Sequence, residues 1–153
     1  MHAWEFVLDT CSIKIAENPC NPRSLETLAL LHEIKSHHKI ALDHGRSILR
    51  EYFRNLDGNS HAGQWVKITI ARADKTMWRA GKVPQRHSQV LLMELKFDPS
   101  DIVFVGVAYE TPDRVIVTED SDYSTPVRNY LLSEMGINVL SIGEALRKAQ
   151  APG

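Results

Sequence analysis

Six acids stand at or just beyond the ends of apolar segments: Asp9, Asp43, Glu51, Asp101, Asp120 and Asp122. Asp9 closes Glu5-Phe6-Val7-Leu8, and Asp43 closes Lys39-Ile40-Ala41-Leu42. Asp120 and Asp122 follow Arg114-Val115-Ile116-Val117-Thr118. Glu51 lies about two turns into the segment after Asp43, and Asp101 opens the apolar stretch Ile102 to Glu110. Carboxylates gathered in one place repel one another and are costly to keep ionised. A hard divalent cation such as Mg2+ or Mn2+ removes that cost, because it takes oxygen ligands and keeps several waters. Such a site can activate a water for in-line attack on phosphorus and stabilise the leaving oxygen, with two metals about 4 Å apart as the strongest version. Hydrolysis of a phosphodiester is the reaction this set serves best.

The acids need a scaffold that brings them together. Residues 5–9, 39–43, 114–118 and 137–142 read as short buried strands. Helical spacing predicts helices over 24–36, with Ser24 as its cap, over 45–55, and over 62–80 carrying Trp65, Val66, Ile70 and Trp78. Residues 89–96 suit either helix or strand, with helix preferred, and Asp98-Pro99-Ser100-Asp101 reads as the start of a buried helix over 102–110, whose valines would also suit a strand. Thr125-Pro126 opens a helix closed by Gly136, and residues 143–149 form the last. Apolar strands alternating with helices predict a mainly parallel sheet of four to five strands, covered on both faces. Ligands of such sheets bind beyond the carboxyl ends of the strands, where these acids lie. Asp43 is the exception, expected to cap the helix that bears Glu51.

Length and composition fit one domain over residues 1–153, with 43% hydrophobic residues and a net charge of −1. No apolar run approaches the roughly 18 residues of a membrane span. The start of the chain carries Glu5 and Asp9 and lacks the pattern of a secretory signal. Cys11 and Cys20 therefore read as reduced thiols of a cytoplasmic protein. Charge is unevenly spread. Residues 59–89 hold six basic side chains against Asp74, whereas residues 90–153 hold five against ten acids.

Four stretches together resemble the acidic motifs of PIN-domain nucleases: Val7-Leu8-Asp9-Thr10, Ile48-Leu49-Arg50-Glu51, Asp101-Ile102 opening an apolar helix with Ala108, and Val117-Thr118-Glu119-Asp120-Ser121-Asp122-Tyr123. Their order matches, and the resemblance spans residues 5 to 145. It implies a Rossmann-like three-layer α/β sandwich and Mg2+- or Mn2+-dependent cleavage of RNA. Asp9, Glu51, Asp101 and Asp120 would be the catalytic, metal-binding acids, Asp122 a fifth ligand and Thr118 a supporting hydroxyl. One resting metal, joined by a second arriving with RNA, fits this picture. Small bacterial members are often VapC-type toxins, held by an antitoxin protein and frequently homodimeric. The family commonly places Asn two residues after the first Asp, where this chain has Cys11.

Arg72, Lys75, Arg79, Lys82 and Arg86 recur at spacings of three, four, three and four. On one continuous helix they would form a basic stripe able to position RNA; a solvated helix face is the plainer reading, and Pro84 cuts the stripe before Arg86. Trp65 and Trp78 read as packing residues rather than base-stacking platforms. No histidine is fixed as a partner for Cys11 as a nucleophile. His37 and His38 suit a helix end, and His44 is the one histidine near the expected mouth of the site. A haloacid-dehalogenase-like phosphatase would need an acid where Cys11 stands. The other alternative is a catalytically silent PIN-like module that binds RNA or protein.

Overall fold

The computed structural model describes residues 2–152. Strand β1 (Glu5–Leu8) is buried along its whole length and gives way at once to α1 (Thr10–Ile15). Helix α2 (Ser24–His37) leads into β2 (Lys39–Asp43), followed by α3 (Ser47–Asn55) and α4 (His61–Ile70). Strand β3 (Thr76–Arg79) precedes α5 (Gln85–Gln89), which continues as a wider π turn over Val90–Glu94. A 3-10 turn, Pro99–Asp101, opens α6 (Ile102–Glu110). The chain closes with β4 (Val115–Val117), α7 (Thr125–Met135), β5 (Asn138–Leu140) and α8 (Ile142–Gln150).

The five strands run parallel in the order β3-β2-β1-β4-β5. Helices sandwich the sheet in three layers, the Rossmann-like α/β architecture expected of the sequence. With both faces covered, strands can be apolar throughout, as Val115-Ile116-Val117 is. One contiguous core runs from Phe6 to Ala149. The chain winds outward from β1 through β2 to β3, then returns to place β4 on the other side of β1. The order thus reverses between β1 and β4, and a crevice opens beyond their carboxyl ends.

One expected helix is shorter than its pattern suggested. Residues 62–80 are not one helix: α4 stops at Ile70, and Thr76–Arg79 pair with Ile40–Asp43 as the edge strand β3. Apolar spacing carried Trp78 onto the helix in the sequence reading, but the open edge of β2 recruits that segment. The turn is sealed by the Thr76 hydroxyl, which donates to the Thr69 carbonyl at 2.8 Å, and by the Arg72–Asp74 ion pair at 2.9 Å. Ser24 is the first residue of α2, not its cap; Arg23 precedes it and makes no side-chain cap. The helix expected over 89–96 begins earlier, just after Pro84.

Two features fix α6, the helix that Asp101 opens. It lies over β1, β2 and β4. Gly106 lies so close to the β3–α5 loop that a Cβ there would stand 2.2 Å from the Gly81 carbonyl oxygen. His38, read as a helix-end residue, is buried; its ring nitrogens bond the Trp4 amide at 3.0 Å and the Ala149 carbonyl at 2.8 Å. Among the described residues, no helix is long and apolar enough to cross a membrane.

Candidate metal centre

Asp9 follows β1 directly and caps α1: its Oδ1 accepts from the Thr10 amide at 2.8 Å. Its Oδ2 accepts from the Thr118 hydroxyl at 2.7 Å and from the Cys11 thiol at 3.3 Å. Thr118, at the end of β4, also receives the Asp120 amide on the same hydroxyl at 2.9 Å. Thr118 therefore ties the acid after β1 to the acid after β4, the two strands that flank the topological reversal.

Glu51 arrives from α3. Tyr52, its neighbour, is buried and donates its hydroxyl to the Leu8 carbonyl, which pins α3 to the end of β1. Arg46, not Asp43, is the N-cap residue of α3, but the Asp43 carboxylate receives the Ser47 and Ile48 amides of the helix's first turn, both at 2.9 Å, and is spent there. Glu51 itself accepts a hydrogen bond from the Thr10 hydroxyl. Asp101 enters from the start of α6, held by the turn that Asp98 caps. Asp98 accepts from the amide and hydroxyl of Ser100, and those bonds hold its carboxyl below the usual carboxylate range.

These contributions converge. Asp9, Glu51, Asp101 and Asp120 line one cavity of about 240 Å3, together with Thr10, Cys11, Lys14 and Asn55. Oxygens of Asp9 and Asp120 lie with the Cys11 sulfur within 4.8 Å of one another. Asp122 stands apart from this cavity. It is exposed and forms a second group with Asp98 and Asp101, again within 4.8 Å. Asp101 is common to the cavity and this outer trio.

The electrostatics are those of crowded carboxylates. Burial raises the pKa of Asp9; the Thr118 and Cys11 hydrogen bonds oppose that rise and the charge of Asp120 adds to it. Asp101 is pushed up to about 7, by burial first and then by the charges of Asp9, Asp98, Asp120 and Glu51. Burial and the adjacent Asp9 charge push the Cys11 thiol up to about 11. A thiol so placed stays protonated near neutrality and donates to Asp9, which rules against a nucleophilic role. The donor set is hard oxygen in excess of local positive charge, and it fits a divalent cation of the Mg2+ or Mn2+ type.

No protein-family model, curated protein or solved structure matches the chain. The site therefore rests on its own geometry.

The basic stripe is not brought together. Arg72 precedes β3, Lys75 stands beside it, Arg79 ends it, and Lys82 lies in the loop beyond. Arg79 turns inward, its guanidinium reaching both Glu5 oxygens at 2.7 and 2.8 Å. Arg72 is taken by Asp74. Arg86 is exposed on α5, and His44 does not line the acid cavity. Trp65 anchors α4 in the core through a 2.8 Å bond to the Leu31 carbonyl, while Trp78 lies half-buried under Arg46. Thr10, Lys14 and Asn55 line the cavity too and are not among the site residues expected from the sequence. Thr10, Lys14 and the acids share a signal: Lys14 follows Thr10 by one turn on α1, and Asn55 follows Glu51 by one turn on α3.

Proposed function

We propose that the acid cavity holds Mg2+ or Mn2+ and that the protein is a PIN-like endoribonuclease hydrolysing RNA phosphodiester bonds. One observation carries this reading. Four carboxylates from four separate elements line a single cavity beyond the carboxyl ends of β1 and β4, where an open parallel sheet binds its ligands.

Asp9 and Asp120 would hold the cation, with Asp101 and Glu51 completing the set directly or through water. A divalent cation supplies Lewis acidity there, acidifying water and neutralising charge on a phosphoryl oxygen. The protein's own residues supply orientation. Thr118 fixes the Asp9 carboxylate against the Asp120 backbone, and Thr10 fixes Glu51. Asp101 is held up to about 7 by burial and its neighbours' charges while the cavity lacks a cation, and a divalent cation there would relieve that repulsion and favour the ionised carboxylate. Lys14 stands exposed on the cavity rim, where an ammonium can meet the phosphate backbone. It replaces the lost stripe as the first cation to test for RNA contact.

The experiment is cleavage of single-stranded RNA by the full chain. Cleavage with Mn2+ or Mg2+ that stops with EDTA, and that Asp9→Asn abolishes in a folded protein, is the expected result. Metal-independent cleavage that survives Asp9→Asn would sink the mechanism, and Mn2+ binding without any cleavage would favour the silent RNA- or protein-binding module. The same reading extends to a toxin, for which expression of this chain would be expected to arrest growth and co-expression of an antitoxin protein to relieve the arrest.

A further inference from the structure

Tyr123 is 2% exposed, and its hydroxyl oxygen is buried with no hydrogen-bond partner among the described residues. Buried hydroxyls are ordinarily paired, so an orphan calls for an explanation. Tyr52 makes the contrast. It is equally buried, and its hydroxyl is satisfied by the Leu8 carbonyl.

The position of Tyr123 suggests what its hydroxyl is for. Its amide donates to the Asp120 carbonyl at 3.2 Å, which places the ring one tight turn from that acid. The ring stands edge-on to Phe97, with centroids 5.1 Å apart, and Phe97 immediately precedes Asp98 in the turn that delivers Asp101. Tyr123 thus belongs to the segment that supplies Asp120 and packs against the one that supplies Asp101. Burial, and then the charges of Asp9, Asp101 and Asp120, hold its phenol protonated, and toward a carboxylate, which only accepts, it is the donor. A phenylalanine would keep the Phe97 contact and fill the same space, so packing alone does not account for the oxygen.

We propose that Tyr123 is a positioning residue of the acid cavity, its hydroxyl donating to an oxygen ligand of the bound cation and finding its partner only when the cation is present. This rests on the cation site proposed above. Partners in the shell behind metal ligands typically change metal affinity by about 10- to 100-fold when removed.

The test is Tyr123→Phe in the full chain, titrated with Mn2+ by calorimetry beside the wild type and melted with and without Mn2+. The expected variant melts at or above the wild-type temperature without metal, since it loses an unpaired hydroxyl, and binds Mn2+ about 10- to 100-fold more weakly. A variant that binds Mn2+ as tightly as the wild type overturns this inference and leaves the cation site standing. A variant that melts several degrees lower without metal also overturns it, because the hydroxyl then has a structural partner. A wild type that binds no Mn2+ overturns both readings together.

Discussion

Replacing Asp101 by asparagine should stabilise the metal-free protein at neutral and alkaline pH. Asp101 sits among Asp9, Asp98, Asp120 and Glu51, and no hydrogen bond to its carboxylate from the described residues offsets their charges. Its carboxyl is raised from 3.8 to about 7 in the folded protein. The folded state holds a proton that the unfolded chain releases near pH 4, so stability is complete below about pH 4 and is lost as pH rises through about 7. At about 1.4 kcal/mol per tenfold change in proton affinity, the full loss is about 4 kcal/mol. The cavity opens to water, and screening there reduces this to about 2 kcal/mol. For a chain of this length, Asp101→Asn should then raise the melting temperature by about 4–8 °C at pH 8.5, and by little near pH 4. Thermal melts in EDTA at the two pH values are the assay. No rise at pH 8.5, or an equal rise at both values, would refute the reasoning. In melts with Mn2+ in place of EDTA, the wild type should gain stability and the variant should gain far less.

Thr118→Val removes the hydroxyl that joins Asp9 to the Asp120 amide, and should weaken Mn2+ binding by about 10- to 100-fold in calorimetry. Unchanged affinity would mean that Asp9 is oriented by other means. Gly106→Ala must push α6 off the β3–α5 loop and should cost about 1–3 kcal/mol in urea denaturation, with weaker Mn2+ binding as Asp101 moves. A neutral result would show that the loop yields freely. Iodoacetamide at pH 7.5 should label exposed Cys20 well before Cys11, whose thiol is pushed up to about 11. Equal labelling, read by mass spectrometry, would contradict the protonated thiol beside Asp9.

The parallel sheet was legible because its strands are short, apolar and separated by helices with recognisable ends. Pro126 and Gly136 mark α7 in the sequence as they do in the structure, which adds Ser124 as its cap. The acids were legible for a related reason: a residue that ends a buried strand in a parallel sheet must emerge at one edge. β3 was hidden because Thr76-Met77-Trp78-Arg79 continues the apolar spacing of α4, and only pairing with β2 makes it a strand. The basic stripe failed with that helix. Its spacing was real, but spacing aligns side chains only on a continuous helix. Asp122 shows a finer limit. It lies two residues from Asp120, yet its amide is bound by the Asp120 carboxylate in a tight turn, and its own carboxylate faces Asp98 and Asp101 instead. Cys11 acquired a meaning that its residue type did not announce. It offers a protonated thiol, 3.3 Å from Asp9 and 3.6 Å from the Thr118 hydroxyl.

The central claim is that these carboxylates form a cation site, and a crystal soaked in Mn2+ tests it most directly through its anomalous scattering. A peak inside the cavity is expected, bound by Asp9 and Asp120, with Asp101 or Glu51 close enough to join directly or through water. An empty cavity, or a peak confined to the outer group of Asp98, Asp101 and Asp122, would contradict it.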